Sequence, residues 1–256
     1  ELWCAPALTP AFQRGAVAMT EGEDPVPVEE TVAVAEQVLE PGSPASQAVA
    51  ARVRRALQAT EALMRGAEAE LGRIDAIAGD GDHGRGMVRG SAAAAAAAVA
   101  AADAGVGVAD LLNAAGASWA DQAGGTSGVL WGAALQAAGD ELGNDREVGA
   151  GDVTRAARAF VERMQALGKA QPGDKTMLDA AVPYVDALAE AITQGTPLQD
   201  AAVAASAVAT QAAQSTAALT PRVGRARPLA AKSVGTPDPG AVSFAMIVTE
   251  IHEVLS

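Results

Sequence analysis

The chain has 256 residues and a net charge of −13; half of its residues are apolar, with alanine the commonest, and 3% are aromatic. Such an acidic composition excludes non-specific nucleic-acid binding, which needs a basic surface, and no apolar run is long enough to span a membrane. Cys4 is the single cysteine and cannot close an internal disulfide, which points to a reducing cytoplasm.

Residues 1–43 stand apart in composition. "EGEDPVPVEE", Glu21 to Glu30, mixes acids with prolines, and Arg14 is the only basic residue of the region. That mixture predicts a self-repelling linker rather than a packed core. The chain also begins at Glu1 without a methionine, as a fragment or processed product does.

Helical character starts at "SPASQ", where Ser43 is placed to cap and Pro44 occupies the first turn. Val49, Val53, Leu57, Met64 and Leu71 then recur at helical spacing and predict one apolar stripe. Further helices are predicted near 84–103, 108–122, 126–140, 152–167, 174–193, 198–217 and 239–255. Thr196-Pro197 and Asp238-Pro239 repeat the cap-then-proline signal, and Pro183 is expected to kink or interrupt its helix. No β-branched run alternates over a strand length. The fold class is therefore all-α, with about eight helices; the short connections predict antiparallel neighbours. The run "SAAAAAAAVAAA" reads as high helix propensity with close helix contacts.

Four glycine-rich loops carry the candidate chemistry. "RIDAIAGDGDHGRGM" places Asp75, Asp80 and Asp82 within eight positions. Carboxylates suit Mg²⁺ or Ca²⁺, yet a plain Asp/Gly turn accounts for the same letters; an EF-hand fails because Ser91 stands where its last ligand should be. "AGGTSGVLWG" offers Thr126 or Ser127 as a helix cap beside glycines, either a simple cap or an anion site at a helix N-terminus. "GKAQPGDKTM" nearly spells a P-loop, but the segment before it is helical, which rejects that reading. What remains there is a loop with Asp174 placed to cap the next helix. In "GRARPLAAKSVGTPDPGA", Arg225 is a candidate phosphate ligand and Asp238 a helix cap. His83 can be a helix-start residue, His252 is read as structural, and Cys4 has no partner for nucleophilic catalysis. If these loops share one end of a bundle, they compose a Mg-nucleotide site.

In this order, "GDGDHG", "GGTSG", "GDKTM" and "GRA…DPGA" resemble the motifs of the nucleotide-binding (L-type) domain of dihydroxyacetone kinases, over residues 46–256. The resemblance implies a barrel-like bundle of eight antiparallel helices with ATP and two Mg²⁺ ions at one end. It implies Asp75, Asp80 and Asp82 as metal ligands. His83, Thr126, Ser127, Gly168, Met177, Arg225, Asp238, Pro239 and Gly240 would form the nucleotide site, and Arg225 would assist transfer. Residues 1–43 would hold the tail of a ketose-binding domain and a linker, with residues 44–256 the ATP domain. The implied activity is ATP-dependent phosphorylation of a short ketose, dihydroxyacetone or erythrulose, with a ketose-binding domain as partner and a homodimer as the assembly. Members acting on dihydroxyacetone often carry G-H-x-D-P-G where this chain has "GTPDPG", so Thr236 opens the substrate to erythrulose. A nucleotide-sensing regulatory module and a fatty-acid-kinase nucleotide domain are the competing readings.

Overall fold

The computed structural model describes residues 40–255. The readings of the acidic linker, of Cys4 and of the tail of a preceding domain fall almost wholly on residues 1–39 and lie outside it.

Helix α1 (Pro44–Asp75) starts as its letters dictate: the Ser43 hydroxyl accepts the Ser46 N–H at 3.2 Å, and Pro44 sits where no N–H is needed. Leu57, Met64 and Leu71 of its stripe are buried, while Val49 and Val53 pack half-buried on the flank. Helices α2 (His83–Asp103), α3 (Val108–Ala123), α4 (Gly125–Leu142), α5 (Ala150–Gly168), α6 (Leu178–Thr193) and α7 (Leu198–Ser215) follow. A four-residue turn of helix, α8 (Ala230–Ser233), precedes α9 (Pro239–Leu255). No strand occurs among the described residues.

Every long helix packs on its neighbour in the chain, and α9 closes the ring by packing on both α7 and α1. Eight antiparallel helices thus surround a main core, with a small satellite cluster of Leu188, Ala201 and Ala205 between α6 and α7, in agreement with the all-α reading. Alanine lines the contacts: Ala94 and Ala98 on α2, Ala115 on α3, Ala134 on α4 and Ala180 and Ala181 on α6 are fully buried. Backbones also approach closely where α3 meets α4. A Cβ at Gly116 would collide with the Gly132 carbonyl, and one at Gly132 with the Gly116 carbonyl. Into the core that small residues leave open, five helices send one aromatic each. Trp119 stacks on Trp131 at 5.1 Å, Phe160 meets Trp131 edge-on at 5.4 Å, and Tyr184 meets Phe244 edge-on at 5.8 Å.

One pole of the ring is stitched by polar side chains. The Ser46 hydroxyl accepts the Val108 N–H at 2.9 Å and Asn144 Oδ1 accepts the Ala109 N–H at 3.0 Å, so α1 and the α4–α5 loop cap α3. The opposite pole gathers the loops 76–82 and 169–177, the α3–α4 junction at Gly124, and the long strap 219–238.

Several local expectations are corrected. Thr196 does not cap α7, because Pro197 itself takes the cap position with no side-chain bond. Helix α6 begins at Leu178, four residues later than the pattern suggests, and it runs through Pro183 without interruption. Helix α7 ends at Ser215, two residues early.

Candidate functional site

Asp75 is the last residue of α1, and its Oδ2 accepts the His83 N–H at 3.2 Å, capping α2 from the end of another helix. Asp82 holds the cap position of α2 but makes no capping bond, so its carboxylate is free to face Asp75 and Asp80. One oxygen from each of the three lies within 4.8 Å of the others. Three like charges at that spacing repel unless a cation joins them. Here the cation is internal. The Arg225 guanidinium binds Asp82 with Nη2 to Oδ1 at 2.9 Å and also pairs with Asp80. The Arg225 hydrogen bond holds the Asp82 carboxyl below its ordinary range, against a smaller upward push from burial, and Asp82 in turn raises the arginine. Arg225, read from the sequence as a candidate phosphate ligand, here stands on the aspartates. An acid trio that already holds a positive group fits Mg²⁺, a hard cation that takes oxygen ligands.

The trio adjoins a cavity of about 630 Å³ at this pole, a volume in the range of small-molecule sites. Asp75 and Asp82 line it, whereas Asp80 stands just outside its wall. Thr126 and Ser127 line another side, but neither caps α4. Gly124 takes the cap position and Gly125 follows, with φ of 72° and 63°, so the chain turns two residues earlier than a Thr or Ser cap would require. The left-handed pair is open to glycine at little cost. It leaves the first N–H groups of α4 without a side-chain acceptor, at the positive end of the helix. Arg89 of α2 fastens this junction by donating to the Ala123 carbonyl at 3.0 Å.

Gly168 and Met177 line the same cavity, with Leu130, Met164 and Trp119 supplying further apolar wall that the sequence reading missed. Any signal lay only in membership of the buried helix faces. The 169–177 loop is held by Asp179, whose two oxygens accept the Gly173 and Thr176 N–H groups. Asp174 is corrected as well: it accepts the Gln171 N–H at 2.8 Å inside its own turn and does not cap α6.

Asp238, Pro239 and Gly240 close the cavity from the start of α9. Asp238 caps that helix as expected, Oδ1 accepting the Ala241 N–H at 2.7 Å. His83 Nε2 sits 3.0 Å from the Ser243 hydroxyl, tying α2 to α9, and burial holds its pKa below the ordinary histidine value against the pull of Asp75 and Asp82. Loss of water pushes Asp238 up to about 7, Asp179 adding to the rise while the Ala241 N–H and Lys175 oppose it. The folded protein thus holds this proton more tightly than the unfolded chain, whose ordinary value is 3.8. Its contribution to stability is full below that value and is lost as pH rises through about 7. Asp238→Asn keeps a capping oxygen and carries no charge. Its thermal midpoint should gain on that of the parent from about pH 4 upward and level off above neutrality; parallel curves at all pH values would refute the assignment.

Residues 77–253 match the family model described as the DAK2 domain. The L-erythrulose kinase of Pectobacterium atrosepticum is 47% identical over 255 residues, 99% of this chain and 42% of the relative. The D-erythrulose kinase of Mycolicibacterium smegmatis is 45% identical over 253 residues, 98% of this chain and 44% of the relative. The chain therefore spans less than half the length of these curated relatives. Among solved structures, the dihydroxyacetone kinase from C. freundii in complex with AMP-PNP and Mg²⁺ is similar, with a TM-score of 0.63 and 26% identity over 91% of this chain and 38% of that one. No helix among the described residues is long and apolar enough to cross a membrane. Ring, acid trio and matched span agree, and the chain belongs to the DAK2-domain family.

Proposed function

We propose that this chain is the Mg-nucleotide-binding half of a kinase that transfers the γ-phosphoryl group of ATP to a terminal hydroxyl of a short ketose, erythrulose or dihydroxyacetone. The observation that carries the reading is the meeting of Asp75, Asp80 and Asp82 around a positive group at the mouth of a nucleotide-sized cavity. Three carboxylates offer enough oxygens, together with phosphates and water, to hold two divalent ions. When bound, those ions would offset the charge of the phosphates.

The residues of the chain supply position and field rather than covalent chemistry. The uncapped N–H groups at the start of α4 and the positive end of that helix receive phosphate oxygens. Arg225, released from the aspartates once cations hold them, turns to the transferring group, where its forked donors suit phosphate. Gly168, Met177 and Leu130 form an apolar seat for the base. The bond from the γ-phosphorus to its bridging oxygen breaks and one from phosphorus to the ketose oxygen forms; the hydroxyl gives up its proton to solvent, and ADP leaves. The ketose itself would be held by a further domain, as the fraction of each erythrulose kinase that the chain spans suggests. Support for erythrulose comes from those two relatives and from Thr236.

Calorimetric titration with a non-hydrolysable ATP analogue tests the binding half. Saturable binding is expected with Mg²⁺ and none after chelation; binding indifferent to the chelator would overturn the metal-mediated reading.

A further inference from the structure

Lys175 is the one charged residue among the buried side chains described, 4% exposed, and it was absent from the candidate residues read from sequence. It also holds a left-handed backbone, φ 63°, which a lysine rarely adopts. Two unfavourable features at one residue call for a compensating role. Its ammonium donates to the Ser233 carbonyl at 2.7 Å and to the Leu219 carbonyl at 3.2 Å. Those carbonyls belong to the two limbs of the strap that carries Arg225. Main-chain bonds from Arg222 N–H to the Asp174 carbonyl, 3.1 Å, and from Gly235 N–H to the Ala217 carbonyl, 2.8 Å, seat the same strap. Burial lowers the lysine pKa, and Asp238 opposes that shift.

We propose that Lys175 is a positioning residue, a clasp that draws both limbs of the 219–235 strap to one ammonium and so sets Arg225 over the cation and phosphate site. The inference rests on the nucleotide reading above. A carbonyl pair inside the protein needs donors, and a lysine reaching from the opposite loop supplies them without adding bulk to the strap itself. An apolar side chain of equal length would fill the space but leave the Leu219 carbonyl without its donor and the Ser233 carbonyl with the Thr236 N–H alone. The strap would then be seated by its two main-chain bonds and the Arg225 pairs themselves, and Arg225 would sample positions away from the aspartates more often.

Three variants test the clasp: Lys175→Met, Arg225→Gln and the double variant. In the ligand-free protein, hydrogen exchange over residues 219–235 should quicken about tenfold in Lys175→Met while the long helices keep parental protection. Affinity for the Mg-bound ATP analogue should fall about tenfold in each single variant. If the lysine acts through the arginine, the double variant binds no more than about twofold more weakly than the weaker single one. Penalties that multiply to about a hundredfold, or parental affinity in Lys175→Met, would overturn the proposal. Should Lys175→Met fail to fold, Lys175→Gln keeps one donor group and is expected to give the same pattern at smaller amplitude. Absence of nucleotide binding in the parent would sink the functional reading, and the exchange measurement would still decide the clasp.

Discussion

Replacing Asp80 with alanine is expected to weaken binding of a Mg-bound ATP analogue by roughly a hundredfold or more, while the metal-free thermal midpoint moves by no more than about 2 °C. The two halves of that expectation have separate causes. Asp80 is exposed, sits in a loop and is engaged by Arg225, so its loss strands no buried group. The same carboxylate is one of three that meet within 4.8 Å, so its loss breaks the cation site. Asp75→Ala should behave differently. Its Oδ2 caps α2 through the His83 N–H, and that variant should lose stability as well as affinity, by about 1 kcal/mol for the cap. Calorimetry and thermal melts on the two variants separate the roles, and an Asp80→Ala protein that binds the analogue as the parent does would end the metal assignment.

The largest effect on stability is expected at a position far from any ligand. Gly116→Val should destabilise the protein by about 3 kcal/mol or more and lower its thermal midpoint by roughly 6–12 °C. The added Cβ would meet the Gly132 carbonyl and Gln136 Cγ, the latter at 2.9 Å, and helix backbone cannot give way as a side-chain tip can. Relief requires α3 and α4 to move apart, which would pull Trp119 from Trp131. Gly66 is the control. It lies on the exposed face of α1 with nothing within 4 Å of an added Cβ, so Gly66→Ala should raise stability by about 0.5–1 kcal/mol. Equal effects at the two sites, measured by denaturant unfolding, would show that helix approach at Gly116 is not limiting.

How much the letters disclosed depended on whether a residue's partner was close in the chain. Ser43 capping α1 and Asp238 capping α9 were legible because donor and acceptor sit three residues apart. The acid trio was legible because one short loop holds it. Thr126 and Ser127 misled because a cap depends on backbone dihedrals, and a glycine at φ 72° turned the chain before either was reached. Asp174 misled because Asp179 took the loop N–H groups first. The destination of Arg225 and the work of Lys175 were invisible: the arginine reaches aspartates 143 and 145 residues away, and the lysine bonds carbonyls 44 and 58 residues away. A pseudo-P-loop reading drew the eye to the glycines around Lys175 and away from its depth in the fold. Apolar periodicity revealed the ring as a set of helices, but the order of closure belongs to tertiary packing alone.

That closure has a kinetic consequence. Six of the seven steps around the ring from α1 to α9 join helices consecutive in sequence, whereas the contact of α9 with α1 spans the whole described chain. Collapse of adjacent hairpins is therefore fast, and the last seam is the single costliest closure in loop entropy. Both ends of the ring emerge at that seam, at the pole away from the cavity. A circular permutant that links Leu255 to Pro44 and opens at the exposed Gly195 turn would move the slow seam to α6 and α7, changing the folding rate while leaving the nucleotide pole intact.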